Sequence, residues 1–331
     1  MQGVSISDFS GSDQWEPSDV PIPQISAGEV LVRVRNAGIS FVDVLVIEGK
    51  YQIKPPMPFC PGKEAAGVVE QVGSAVTKFS AGDRVMVLVE YGAFAEFVAA
   101  KQEQCFLLPE KMGFDVGATF GLPYQTAFFA LRDRARVTAG DTIFVTGAGS
   151  GVGLAVVELA KAFGHKVLAG IATRSKAHLA EASGADHIVE LAPGKDKDKD
   201  RIRAEVREHT QGRGADVIID VIGGDVFDTV IRCLGWRGRL VIVGFAGGRI
   251  PLIKANYLLL KNIEVSGLDW SDYRTKTPKL VSDAQKELFG LFLGKKIGSH
   301  VQTTIPFTRF SEAVRLIKER RVNGRITLAW S

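Results

Sequence analysis

The residues best able to do chemistry in this chain begin at "VTGAGSGVG" (145–153) and continue, roughly twenty residues later, at "GIATRSK" (170–176). An apolar run, "DTIFVTG", leads into the glycines. "VGLAVVELAKAFG" leaves them with helical spacing and stops at a glycine, so the turn joins a strand to a helix. Glycines let the backbone approach a pyrophosphate closely, and a new helix offers N–H groups and the positive end of its dipole. Gly149, Ser150, Gly151, Val152 and Gly153 are therefore candidate phosphate-binding residues. Gly147, Gly149, Gly151 and Gly153 are spaced by two throughout, so no strict G-x-G-x-x-G register fits. A tight strand–helix turn without a ligand is the other reading of the same residues.

The second stretch decides what kind of nucleotide such a turn would take. An Asp or Glu at the end of the second strand favours two unmodified ribose hydroxyls. Here the strand "KVLAGI" is followed by Thr173, Arg174, Ser175 and Lys176, with no acid. An arginine fork and a lysine point charge suit an extra 2'-phosphate, which points to NADPH over NADH. The alternative stays open at this level: Ser175 caps the following helix, and Arg174 and Lys176 are solvated surface charges.

Positioning such a turn requires a layered α/β unit. After about residue 123 strand and helix alternate: "DTIFVTG", "KVLAGI" with "SKAHLAEASG", "DHIVE" with a helix from about 200 to 209, "ADVIIDVIG", "DVFDTVIRCLG" and "GRLVIVG". That alternation predicts a parallel sheet with helical crossovers. The residues before it read as short strands with glycine corners, as in "EVLVRVRNAG", "AAGVVEQVG" and "GDRVMVLVEYGAFAEFVAA", and suggest an antiparallel, barrel-like core. The tail is mixed, with an apolar stripe at Phe310, Ala313, Val314 and Ile317, and is expected to return to the first domain. The expected domains are 1–123, 124–266 and a return segment at 267–331.

The totals bound the alternatives. A chain of 331 residues, 46% hydrophobic and 24% charged, can build two cored domains. A net charge of +4 without a basic stripe predicts no nucleic-acid partner. "KDKDKD" (195–200) alternates in sign and reads as a solvated loop entering a helix. Cys60, Cys105 and Cys233 make neither a metal spacing nor a disulfide framework. They suit a reducing compartment, and a cytoplasmic location is expected, with no signal peptide evident and no run long enough to span a membrane.

With both halves read, the chain resembles the medium-chain dehydrogenase/reductase superfamily, in its zinc-free quinone oxidoreductase, zeta-crystallin-like branch. The pieces that carry the resemblance, in order, are "GEVLVRVRNAGIS" with Asp43, "YQIKPPMPFCPGKEAAGVVEQVG", "AGDRV", "GAFAEFV", "TGAGSGVG", "GRGADVIIDVIGG", "GRLVIVG" and "NGRITL". The resemblance implies an α/β chain with a GroES-like β-barrel catalytic domain, a Rossmann nucleotide domain, an active site in the cleft between them and a homodimer. It adds Gly244, which ends "GRLVIVG", to the nucleotide set.

The zinc-bearing members place cysteine and histidine where this chain has Ser40 and Lys63, and a third ligand near Leu122. Zinc takes thiolate, imidazole or carboxylate donors at about 2 Å, which this set cannot supply. No metal is expected. Only "MVLVEY" separates "GDRV" from "GAFAEF", so the structural zinc lobe has no counterpart either. Without a Lewis acid, the implied reaction is hydride transfer from NADPH to an acceptor already electron-poor by conjugation, a quinone or an enone. The candidate catalytic residues are Tyr51, in "EGKY", then Ser40, Asp43, Lys63 and Tyr124. Plain structural roles are open to each: Asp43 ties loops together, Lys63 pairs with Glu64 or Asp43, and Tyr124 is a wall residue. Ser150 replaces a family glycine, and Leu191 stands where relatives often carry a tyrosine for the 2'-phosphate. The competing functions are an enone or enoyl-thioester reductase and a non-catalytic nucleotide-binding protein.

Overall fold

The computed structural model describes residues 1–9, 15–191, 196–298 and 300–330. It divides into two units, one of Met1–Leu122, Tyr273–Phe289 and Ser299–Ser331, the other of Pro123–Asp272 and Gly290–Gly298. The first boundary falls inside the helix Phe114–Phe129, at Pro123.

The second unit holds six strands: Thr142–Thr146, Lys166–Ile171, His187–Glu190, Ala215–Asp220, Leu234–Ile242 and Glu264–Gly267. Counted along the chain, they lie side by side as third, second, first, fourth, fifth and sixth, and every pairing is parallel. This is the doubly wound order of dinucleotide-binding sheets, whose ligand crevice opens where the order reverses, between the first and fourth strands. Thr142–Thr146 is buried at all five positions, as a central parallel strand must be. Ile202 and Val206 from the helix Asp196–Glu208, with Phe227 and Val230 from Gly224–Val230, pack on Phe144, Leu168, Val189, Ile218 and Leu240 of the sheet.

One expectation is corrected in this unit. "KDKDKD" is helical from Asp196 onward, with Lys195 outside the described residues. Alternating charge suits the outer face of a helix as well as a loop, and the buried Ile202 and Val206 anchor the inner face.

The first unit holds a seven-stranded mixed sheet and a small antiparallel pair, Gln2–Gly3 with Ser18–Asp19. Glu29–Ile39 pairs antiparallel with Glu64–Val72 on one side, and the antiparallel run continues through Arg84–Leu88 to Cys105–Leu107. On its other side Glu29–Ile39 pairs antiparallel with Phe97–Lys101 near its start and with Arg325–Ala329 near its end, and Arg325–Ala329 pairs in parallel with Val301–Pro306. The core is one cluster of alternating inward residues, including Val30, Val32, Val34, Val85, Val87 and Phe94. Phe310, Ala313 and Val314 of the amphipathic helix Phe310–Lys318 join it from the carboxy-terminal segment. The chain thus has the expected Rossmann unit and GroES-like unit, the latter mixed because the late strands add a parallel pair.

Candidate functional site

The glycine-rich turn is built for close approach. A Cβ placed on Gly153 would stand 2.1 Å from the carbonyl oxygen of Gly147, so no other residue fits without moving strand and helix apart. Gly147 has φ of +64°, in the region that favours glycine. Ser150 is the N-cap of the helix Gly151–Ala162, and its Oγ accepts from Gly153 N at 3.2 Å. Gly149 is covered by Lys176, whose Cβ and Cδ would each lie 3.0 Å from a Cβ on that glycine. Lys176 is therefore held beside the turn by its own hydrocarbon stem. These residues form the glycine-floored cradle at a helix N-terminus that a pyrophosphate requires.

Arg174 and Lys176 begin and end a short 3₁₀ turn after the second strand. Thr173 Oγ1 and Ser175 Oγ lie 3.0 Å apart, and the helix Ala177–Ala182 has no side-chain cap. Ser175 therefore does not serve as the helix cap. Arg174 is 87% exposed, and its Nε stands 3.9 Å from Glu190 Oε2 at the end of the third strand. Glu190 was not singled out by sequence reasoning. Leu191, next to it, is buried in the unit's core, so that position offers a phosphate nothing.

The point where the strand order reverses is clasped by side chains. Thr146 Oγ1 donates to Asp220 Oδ1 at 2.5 Å and accepts from Val221 N at 3.1 Å. Asp220 also accepts from Ile222 N and Gly223 N, at 3.2 and 3.1 Å. Burial pushes the Asp220 carboxyl above its usual range, against these hydrogen bonds. Gly244 lies in the segment after the fifth strand, which hydrogen-bonds to the one after the fourth through Gly247 N to Ile222 O at 2.7 Å. Both belong to the carboxyl ends of the strands, where the fold places a nucleotide.

Tyr124 also belongs to this unit. It is fully buried, and its Oη is hydrogen-bonded to the Glu158 carboxylate and lies 2.8 Å from Gly298 O. These bonds tie the start of the unit to the Gly290–Gly298 segment. The tyrosine is a staple, not an exposed wall.

The other candidates lie in the first unit. Ser40 is the N-cap of the helix Phe41–Ile47, and both its N and its Oγ donate to Asp43 Oδ2, at 2.8 and 2.7 Å. Asp43 is 1% exposed, and its Oδ1 has no hydrogen-bond partner among the described residues. Burial raises its affinity for a proton, while Ser40 and the Lys63 charge oppose the shift. The adjacent Glu64 is buried too, and desolvation pushes its carboxyl up to about 8 despite Arg325 and the N–H of Leu122, with Asp43 adding to the rise. Close packing enforces this arrangement: a Cβ on Gly38 would meet Ala118 O at 2.1 Å and Glu64 Oε1 at 2.9 Å.

Lys63 is tied to Glu90, and its charge also acts on Asp43. Its Nζ donates to Glu90 Oε2 at 2.7 Å and to Glu90 O at 3.3 Å, and it lies 4.9 Å from the centroid of the Tyr51 ring. Arg274 Nη2 donates to the other Glu90 oxygen, Oε1. Desolvation lowers the Arg274 guanidinium to about 10, with Tyr51 acting in the opposite sense. The structure thus joins Tyr51 with Lys63, and Ser40 with Asp43, and adds Glu90 and Arg274. In sequence Glu90 stood inside a spacer and Arg274 inside an irregular tail, so spacing offered no signal for either.

Comparison with known proteins places this geometry in a family. Residues 151–286 match the family model described as zinc-binding dehydrogenase, and residues 26–110 match the alcohol dehydrogenase GroES-like domain. A quinone oxidoreductase-like protein 2 homolog of Nematostella vectensis is 36% identical over 307 residues, covering 92% of this chain and 82% of that protein. The chain belongs to the medium-chain dehydrogenase/reductase superfamily, in its quinone-oxidoreductase-like branch. Among solved structures, a mycobacterial protein complexed with NADPH superposes with a TM-score of 0.92 at 27% identity, covering 99% of this chain and all of that one. Escherichia coli quinone oxidoreductase complexed with NADPH gives 0.91 at 25% identity, covering 99% of this chain and 100% of its own.

The zinc in the family model's description does not fit these residues. At the ligand positions Ser40 donates its hydroxyl to Asp43, Lys63 is an ammonium bound to Glu90, and Leu122 is hydrocarbon. The glycine cradle, by contrast, fits a dinucleotide.

Proposed function

We propose that this member of the superfamily is an NADPH-dependent quinone reductase that transfers hydride directly, without zinc. The observation that carries the reading is Lys176 packed over Gly149, which sets a cation at the rim of the phosphate cradle where an acid would select NADH. The NADPH carried by the mycobacterial and Escherichia coli neighbours supports it. Gly149, Ser150, Gly151, Val152 and Gly153 hold the pyrophosphate, Gly244 borders the nucleotide, and Thr173, Arg174, Ser175 and Lys176 take the 2'-phosphate. A phosphate of nearly two charges draws Arg174 away from Glu190, whose single carboxylate is 3.9 Å off.

Bound NADPH supplies the hydride. The protein's share is to orient the acceptor, exclude water and stabilise charge on its oxygen. Tyr51 faces the acceptor, while Ser40, Asp43 and Lys63 hold the shape around it. The quinone oxidoreductase names of the relatives support a quinone over other conjugated carbonyls.

We read the assembly as a homodimer. Ile250, Leu252, Leu259 and Leu260 are 67%, 86%, 77% and 73% exposed, and they precede the edge strand Glu264–Gly267. Among the described residues no helix is long and apolar enough to cross a membrane. The three cysteines are thiols, which suits the cytoplasm.

The deciding experiment is anaerobic oxidation of NADPH with 1,4-benzoquinone beside a matched simple enone, with NADPH binding followed by fluorescence. Consumption with the quinone and little with the enone is expected. Consumption with the enone alone moves the chain to the enone reductases, and absence of NADPH binding overturns the enzyme reading.

A further inference from the structure

The helix Asp196–Glu208 packs on the turn Ile231–Cys233, and Ile202 and Val206 on its inner face share a core with Ile231, Cys233 and Leu234. Arg203 and Arg207 each follow one of those inward residues, so they stand one turn apart on the same side of the helix. Lys261 ends the helix Ala255–Lys261, and its Nζ donates to Arg232 O at 2.9 Å and to Leu234 O at 2.8 Å. Lys261 therefore sits at the turn on which the arginine-bearing helix packs. Desolvation loosens its hold on a proton, and the Arg203 and Arg207 charges add to the effect, with Cys233 acting in the opposite sense.

The three cations meet without a counter-ion. Among the described residues no carboxylate pairs with Arg203, Arg207 or Lys261; Lys261 bonds to two backbone carbonyls, and Arg203 Nε is buried with no partner. Glu205, which lies between the arginines in sequence, is taken by His187 and Arg201. The Cys233 thiol cannot supply the anion, because burial pushes it up to about 12 against the pull of all three cations. Like charges held together repel, and a buried guanidinium donor without an acceptor costs more, unless an anion completes the set.

We propose that Arg203, Arg207 and Lys261 form a binding site for a phosphate group, separate from the glycine cradle. Leu234 begins the fifth strand, so the cluster lies at the amino ends of the parallel strands, whereas the cradle follows the carboxyl end of Thr142–Thr146. Two planar guanidinium forks and one ammonium match a doubly charged group with three terminal oxygens better than a carboxylate with two. Arg207 is exposed while Arg203 and Lys261 are half-buried, so a phosphate enters from solvent and is partly shielded once bound. The inference does not depend on the reductase reading.

The test is thermal melting of the full-length protein in phosphate-free buffer, with inorganic phosphate or phenyl phosphate added at constant ionic strength and chloride as the baseline. The melting temperature is expected to rise with the logarithm of phosphate concentration. A larger rise with phenyl phosphate marks a phosphorylated organic molecule as the ligand, and a larger rise with inorganic phosphate marks the free ion. The rise persists in a variant carrying both Arg174→Ala and Lys176→Met, which weakens the cradle. Arg207→Gln weakens phosphate by roughly tenfold, the worth of one charge-assisted hydrogen bond. Without phosphate the same variant melts no lower than the wild type, because it relieves repulsion; a merely structural arginine would lower the melting temperature. No rise with either compound, an equal rise in Arg207→Gln, loss of the rise in the cradle variant, or a lower melting temperature for phosphate-free Arg207→Gln overturns the proposal.

Discussion

Thr146 donates its hydroxyl to Asp220 across 2.5 Å and joins the ends of the two strands between which the sheet order reverses. Both side chains are fully buried, and the same Thr146 oxygen accepts from Val221 N. The floor of the nucleotide crevice is thus held by a two-residue clasp whose members have no access to water as a substitute.

Thr146→Val keeps the shape of the side chain and removes the clasp. It leaves Asp220 and Val221 N each short of a partner, at a cost of about 1–3 kcal/mol per buried group. The expected result is a lower denaturant midpoint at unchanged slope, accompanied by weaker NADPH binding. An unchanged midpoint would show that the clasp contributes nothing to stability.

The cations after the second strand make a prediction about selectivity. Lys176→Met retains the stem that covers Gly149 and loses the charge, while Arg174→Ala loses the fork. Each is expected to weaken NADPH by roughly tenfold or more, the worth of one charge-assisted hydrogen bond, and to leave NADH within about twofold. Equal losses for both nucleotides in a fluorescence titration would place these residues outside the 2'-phosphate site.

The parts of this arrangement that repeat along the chain could be read before the structure was seen. Alternation of buried runs with helical spacing foretold the parallel sheet because each strand–helix pair carries its own periodic signature, and the turn at 147–153 lies within one such pair. The parallel pairing of Val301–Pro306 with Arg325–Ala329 had no such signature, since strand direction depends on where the chain returns. The Glu90 contacts to Lys63 and Arg274 were equally silent, because ion pairs between distant segments leave no spacing to find. Tyr124 illustrates a different limit: an aromatic with a polar tip reads alike whether it lines a pocket or, as here, bonds inside its own unit.

Glu64 makes stability depend on pH. Its carboxyl ordinarily titrates at 4.5 and is pushed up to about 8 by burial, so the folded state holds the proton more tightly than the unfolded chain does. That contribution is complete below 4.5 and is lost as the pH rises through 8, at about 1.4 kcal/mol per pH unit inside the window. Glu64→Gln keeps an acceptor for Leu122 N and cannot ionise. Melting temperatures measured from about pH 5 to about pH 9 are expected to fall more steeply for the wild type than for the variant. Parallel curves would show that the carboxyl is already charged in the folded protein.

The pairing of Ile39 with Ile326 has a consequence during synthesis. The Pro123–Asp272 stretch holds all six strands of its parallel sheet and can complete that sheet as it leaves the ribosome. The strand Glu29–Ile39 emerges far earlier, yet its neighbour Arg325–Ala329 follows the whole of that parallel sheet. Until then one edge of the earlier sheet waits without its partner, a state open to mispairing with other nascent chains. Chaperone dependence and sensitivity to truncation should therefore concentrate on those late residues, although none of them belongs to the nucleotide cradle.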